Sequence, residues 1–254
     1  MIKETAIKDT SKDRRLTLLG HLLELRHRLT MSAIVLVVAI GVSFIFAGQL
    51  FEIIKRPADN MQFVYIDVTE MMSIYMKVCL ASGLVIAMPY MIYHFVMFVS
   101  PGLTSKEKKS VYLIVPWVGI MFIVGVVFGY LVLLPPALRF LLTFGTDIAV
   151  PQIRIENYVS VVVRLLLAIG LVFELPVLIT FLARLGVVTS KWLANKRKWA
   201  LLMAFVLAAL ITPTMDPINQ SIVAAPLIIL YEVSIWLAWL VQKRKAEAKA
   251  VEPD

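Results

Sequence analysis

Charge and cysteine are what this chain has least of. Only 17% of its 254 residues are Asp, Glu, Lys or Arg, against about 25% in ordinary soluble domains. Residues that scarce in charge cannot coat a globular surface, and 60% are hydrophobic, so a soluble domain is excluded and an all-α, polytopic integral membrane protein is expected. The single cysteine, Cys79, rules out an internal disulfide and reads as packing within an apolar run. Three scattered histidines, His21, His27 and His94, offer no metal cluster. HExxH, GxSxG and GxxxxGK[ST] are all absent, as is an intramembrane pair of aspartates. No catalytic residue, metal or cofactor is therefore expected, and the chain does not read as an enzyme. No segment is large enough for a nucleotide domain, so energy would have to come from a membrane potential, a proton gradient or a partner. Internal repeats of the inverted transporter kind are also lacking.

The net charge of +8 comes from Lys and Arg placed between apolar runs, where they set topology rather than bind nucleic acid. Six runs read as spans: 29–50, 71–99, 111–134, 158–185, 199–211 and 218–241. They divide the chain into a cytoplasmic segment over 1–28, a membrane domain over 29–241 and a cytoplasmic tail over 242–254. The fifth run, of about 13 residues, reaches only about 20 Å and must end early or thin the bilayer. Two prolines and Asp216 follow it, predicting a tight hairpin; the alternative is one long kinked helix and five spans. Basic residues gather in the N-terminal segment, at Lys106, Lys108 and Lys109, at Lys191 and Lys196 to Lys198, and in the tail. By the positive-inside rule both termini are cytoplasmic. The polar first 28 residues lack the pattern of a removable signal peptide and are expected to stay in the mature protein. Prolines at 89, 116, 135, 136, 176 and 226 favour bends, and curved helices can enclose a groove.

Glu174 lies inside the apolar run 158–185, about 18 Å from Gly186 and about 24 Å from Tyr158 by helical rise. A carboxylate at that depth costs roughly 2.5–3.5 kcal/mol on insertion scales, so it is the first candidate for a functional polar site. Leucines at 18, 22, 25 and 29 follow helical spacing, giving an amphipathic helix on the membrane surface before the first span. Its one acid, Glu24, pairs most simply with Arg28 at i,i+4. In the loop after the second span, Pro101-Gly102 ends the helix and Glu107 is the lone acid among three lysines.

Taken together, His21-Leu22-Leu23-Glu24-Leu25-Arg26-His27-Arg28-Leu29, Pro57, Met88 to Tyr93 with Phe98, Ser100-Pro101-Gly102-Leu103 to Glu107, Phe173-Glu174-Leu175-Pro176, Thr212-Pro213 with Asp216 and Gln220, and Pro226 through Tyr231-Glu232 resemble the TatC family of twin-arginine protein translocase subunits. The match runs over nearly the whole chain, in order and at family-like spacing. The resemblance implies a glove-shaped bundle of six helices in the cell inner (cytoplasmic) membrane. It also implies export of folded precursor proteins, driven by the proton motive force, through binding of their twin-arginine signal peptides. The matching recognition positions are Glu24, Arg26, Arg28, Leu29, Phe98 and Glu107. Two guanidinium groups want carboxylates in bidentate geometry, which a lysine ammonium cannot reproduce. Thr212, Asp216 and Gln220 match the region that docks the single-span partners TatA and TatB, with its register left open around Ala209 and Met215. Other implied partners are further copies of the chain and membrane lipid. The rival reading is a proton-coupled small-solute transporter with Glu174 as proton carrier.

Overall fold

The computed structural model describes the backbone of residues 2–58, 61–99, 105–143, 152–212 and 216–251, and side chains over 20–58, 61–98, 116–141, 143, 152–212 and 216–244. Nearly all of this is helix, as expected of apolar runs that must satisfy their own backbone groups in lipid. The first helix, α1 (Ile2–Ile45), runs uninterrupted from the polar segment into the first span. The amphipathic stretch is thus the beginning of the spanning helix and not a separate surface element. A short turn at Phe46 leads into α2 (Ala47–Lys55) and a 3-10 turn, Arg56–Ala58.

The next helix, α3 (Glu70–Val99), carries Pro89 within it. It crosses α1 at Gly83, where an added Cβ would lie 2.7 Å from the Ile40 Cα, so only glycine permits this approach. The helix α4 (Ser105–Phe128) passes through a π-helical stretch, Gly129–Leu133, into α5 (Leu134–Thr143). Here the structure differs from the expected end of a span at residue 134. In the widened turn the Leu134 N–H reaches back five residues to the Gly129 carbonyl. Pro135 and Pro136 follow in the first turn of α5, where a missing N–H costs little.

The fourth run also departs from a single continuous helix. It forms α6 (Ile155–Val172) and α7 (Leu175–Leu185), broken at Phe173 and Glu174. Pro176 cannot donate to the Val172 carbonyl, and the chain tightens into a Glu174 N–H to Leu171 carbonyl bond of 3.1 Å. Gly186, with φ 82°, ends α7 in the left-handed conformation that glycine adopts without strain. Then come α8 (Ser190–Asn195), α9 (Arg197–Ile211) and α10 (Pro217–Val251). The helices α9 and α10 lie side by side, since Gln220 Nε2 donates to the Phe205 carbonyl at 2.9 Å. The merged, kinked helix is therefore excluded.

Among the described residues five stretches are long and apolar enough to cross a bilayer: Gly20–Ile45, Glu70–Phe98, Pro116–Leu141, Ile155–Leu185 and Pro217–Arg244. At 15 residues, α9 reaches about 22 Å. Core side chains fall into three groups. One, around Leu165, Ile169, Ala208 and Val223, joins α6, α9 and α10. A second, around Phe51, Ile74, Leu134 and Tyr158, closes the end of the bundle away from Gly20. The third, Ala183, Leu193, Ile235 and Ala238, holds α8 against α7 and α10. Many large apolar side chains are exposed, among them Ile34, Val37 and Leu210, as expected where the surrounding solvent is hydrocarbon. Cys79 is buried, its thiol 3.7 Å from the Ser43 carbonyl, in keeping with a packing role.

Candidate functional site

The first turns of the membrane-crossing part of α1 and the last turns of α3 enclose a pocket of about 180 Å³. From α1 it is lined by Leu25, Arg28, Leu29 and Ser32, and from α3 by Met91, His94, Phe95 and Phe98. Both sets recur at three- and four-residue spacing, so each helix turns one face toward the other. Three of the recognition positions, Arg28, Leu29 and Phe98, thus meet in one place. Glu24 stands at its mouth. Its Oε1 accepts from Arg28 Nε at 2.9 Å and Nη2 at 2.6 Å, forming the expected i,i+4 pair. Among the described residues its Oε2 is approached only by His21 Nδ1, at 3.9 Å, which leaves acceptor capacity on that half of the carboxylate. The His21 ring stacks on Phe98 with centroids 4.3 Å apart, tying the mouth to α3.

Arg26 is exposed and is not among the residues that line this pocket. Glu107 belongs to the first turn of α4, and its side chain lies outside the described residues. Glu174 is 4% exposed at the α6–α7 break, and neither carboxylate oxygen has a hydrogen-bond partner among the described residues. It does not line the α1–α3 pocket, so the candidate residues form separate places rather than one site.

The third group belongs to the α9–α10 hairpin. The Thr212 hydroxyl donates to the Ala208 carbonyl at 2.9 Å, Asp216 Oδ2 accepts from the Asn219 N–H at 3.0 Å, and Gln220 holds Phe205. These side chains end one helix, begin the next and keep the two in register. Met215 lies outside the described residues.

Sequence reasoning missed a polar network at the opposite end of the bundle. Buried Glu70 accepts from Arg154 Nη2 at 3.0 Å and from the Ile66 N–H at 3.0 Å. Arg154 also approaches Glu156 at 3.6 Å, and Lys77 reaches Glu156 at 3.5 Å and the Ser160 hydroxyl at 2.7 Å. The hydrogen bond that Arg154 donates to the Glu70 carboxylate raises its guanidinium above the ordinary arginine range. Beside it, β1 (Phe63–Val64) and β2 (Ile153–Arg154) pair in parallel, joining two connecting segments. With Glu70 and Arg154 84 positions apart, no local spacing announces the pair. Arg164 was missed as well: it interrupts the apolar run 158–185, is exposed on α6, and has no hydrogen bond or ion pair among the described residues. A charge count within that run would have found it. On the basic side, Arg197 grips Glu232 through two bonds of 2.7 and 2.9 Å, fastening α9 to α10.

Residues 20–226 match the family model described as Sec-independent protein translocase protein (TatC). The chain is 38% identical over 236 residues to the Sec-independent protein translocase protein TatC of Carboxydothermus hydrogenoformans, covering 92% of this chain and 97% of that one. It is 37% identical to the TatC of Aquifex aeolicus, over 89% of this chain and 96% of the relative. A crystal structure of the twin arginine translocase receptor TatC superimposes with a TM-score of 0.78 at 37% identity, covering 87% of this chain and 99% of that one. A second TatC crystal structure, in DDM, gives 0.79 at 38% identity, covering 86% of this chain and 99% of that chain.

Proposed function

The chain belongs to the TatC family and is a multi-pass membrane subunit of the twin-arginine protein translocase, and from that premise we propose that it is the subunit that receives twin-arginine signal peptides. The observation that carries this reading is the half-occupied Glu24 carboxylate at the mouth of the α1–α3 pocket. One guanidinium of the precursor takes Glu24 Oε2, where planar N–H donors find an acceptor that Arg28 leaves open. Glu107 supplies the second carboxylate, Arg28 orients Glu24 at the mouth, and Arg26 meets the peptide outside the pocket. The apolar residues after the paired arginines lie along Leu25, Leu29, Phe95 and Phe98. No covalent step is required, since recognition here is charge-assisted hydrogen bonding beside apolar burial.

In this reading the six spans, with α9 as the short fifth, sit in the cell inner membrane with both termini cytoplasmic. Residues 1–28 and 242–254 flank the membrane domain on that side. The single-span partners TatA and TatB dock along α9 and α10 near Thr212, Asp216 and Gln220. Further copies assemble beside them, and the proton motive force drives export. Glu174 acts as a polar point in the bundle where the signal peptide or a partner helix inserts. The transporter reading is not favoured, because relatives covering most of this chain are translocase proteins.

The test is site-specific photocrosslinking from Phe98 and Glu107 in native membranes, with one precursor bearing paired arginines and the same precursor bearing paired lysines. Crosslinks formed with arginines and lost with lysines are expected. Equal or absent crosslinks in a folded protein would refute the receptor reading.

A further inference from the structure

His94 sits on the inner wall of the α1–α3 pocket, one turn below Phe98 and about 6 Å deeper along α3. Both of its ring nitrogens are buried, and neither has a hydrogen-bond partner among the described residues. The ring is held in place rather than loosely packed. The Tyr90 ring meets it at 4.4 Å and 60°, and the Tyr93 ring at 5.3 Å and 86°. The rest of the pocket is mainly Leu25, Leu29, Met91 and Phe95, and its two polar members, Arg28 and Ser32 on α1, make no hydrogen bond to the ring. A polar ring oriented this firmly in an apolar wall costs free energy in the empty pocket, a cost removed when something supplies both a donor and an acceptor.

An entering peptide has that need in mirror image. Once its charged pair is held at Glu24, the segment that follows must pass the apolar wall in extended form, leaving its backbone N–H and C=O groups without water. A neutral imidazole carries one N–H donor and one bare nitrogen acceptor, the complement of one peptide unit. Arg28, the cation on the facing α1 wall, makes this depth a poor place for a second guanidinium.

We propose that His94 is a further recognition residue, and that its imidazole clasps the backbone of the signal peptide on the apolar side of the paired arginines. This rests on the signal-peptide reading above and adds to it a contact that is blind to side-chain sequence. Glu24 selects the arginines; His94 stabilises any chain that follows them.

The test uses the full-length protein in lipid nanodiscs and a fluorescent twin-arginine signal peptide, with binding followed by anisotropy. His94→Leu is expected to weaken binding roughly tenfold, the order of one or two lost buried hydrogen bonds. His94→Phe, which keeps a ring between Tyr90 and Tyr93, should lose as much while preserving the fold. His94→Gln, with a donor and an acceptor of its own, should recover most of the affinity. Because the contact is to backbone, the same fold-loss is expected with a twin-lysine version of the peptide. Binding by His94→Phe within twofold of the parent would overturn the proposal, and so would a loss that vanishes with the lysine peptide, since that assigns the ring to a guanidinium. Failure of the parent protein to distinguish arginine from lysine peptides would instead count against the receptor reading itself.

Discussion

Two Glu–Arg pairs stand at opposite ends of this molecule and behave as different devices. Glu24 and Arg28 are four residues apart on one helix, with their side chains 31% and 19% exposed. Glu70 and Arg154 are 84 residues apart, and the Glu70 side chain is 1% exposed. The first pair forms with no tertiary structure at all, spends one carboxylate oxygen and can be re-formed in water. The second exists only when two connecting segments meet, and it draws in the Ile66 N–H, Glu156 and Lys77. An ion pair at the surface is exchangeable, whereas one taken out of water commits the backbone around it. The first suits a ligand site and the second a clasp.

The largest effect that would break this contrast comes from the clasp. Glu70→Ala leaves Arg154 at the edge of the bundle without its main acceptor, and the thermal unfolding midpoint in detergent should fall by several degrees. Arg154→Ala should act in the same direction, and the double variant should lose less than the sum, as expected of one shared interaction. Additive losses would show that the two residues act separately.

Glu174 sharpens the comparison, because it is as buried as Glu70 but has no arginine. Glu174→Met, close in volume and free of hydrogen-bonding need, should raise thermal stability by about 1–3 kcal/mol, the cost of an unsatisfied buried polar group. A drop on the same measurement would show that the acid has a stabilising partner after all.

A smaller effect is expected at the α9–α10 hairpin. Gln220→Ala removes the bond to the Phe205 carbonyl and should cost about 1 kcal/mol in the same melting experiment. The smallest belongs to the exchangeable pair: Arg28→Ala should change stability by no more than about 0.5 kcal/mol while altering signal-peptide binding several-fold. A melting shift as large as that of Glu70→Ala would erase the distinction between the two ends.

Much of the helix layout was legible because its causes are local. The run beginning near residue 71 becomes α3 almost residue for residue, and Gly186 ends α7 where the apolar run ends. Prolines were harder to read. Pro135 and Pro136 look like a stop, but the π-helical turn before them lets the helix continue to Thr143. Pro176 looks like a bend and in fact divides a span in two beside Glu174. Of the α1–α3 pocket, the sequence offered Glu24, Arg28, Leu29 and Phe98 through family-like motifs, but not His94, which stands out only because its ring nitrogens have no hydrogen-bond partner among the described residues. Glu70 escaped notice because an acid at the start of a helix is ordinary until Arg154 is seen beside it.

The sequence by itself determined that this is a helical membrane protein and roughly where its helices lie. The reason is that an apolar segment in lipid can satisfy its backbone only within itself, so twenty or so consecutive residues carry the whole instruction. Only the tertiary structure decided which acids are paired, which is left alone and which face of α3 meets α1. Those outcomes depend on side chains separated by many tens of residues, whose proximity is set by how helices such as α1 and α3 cross at Gly83.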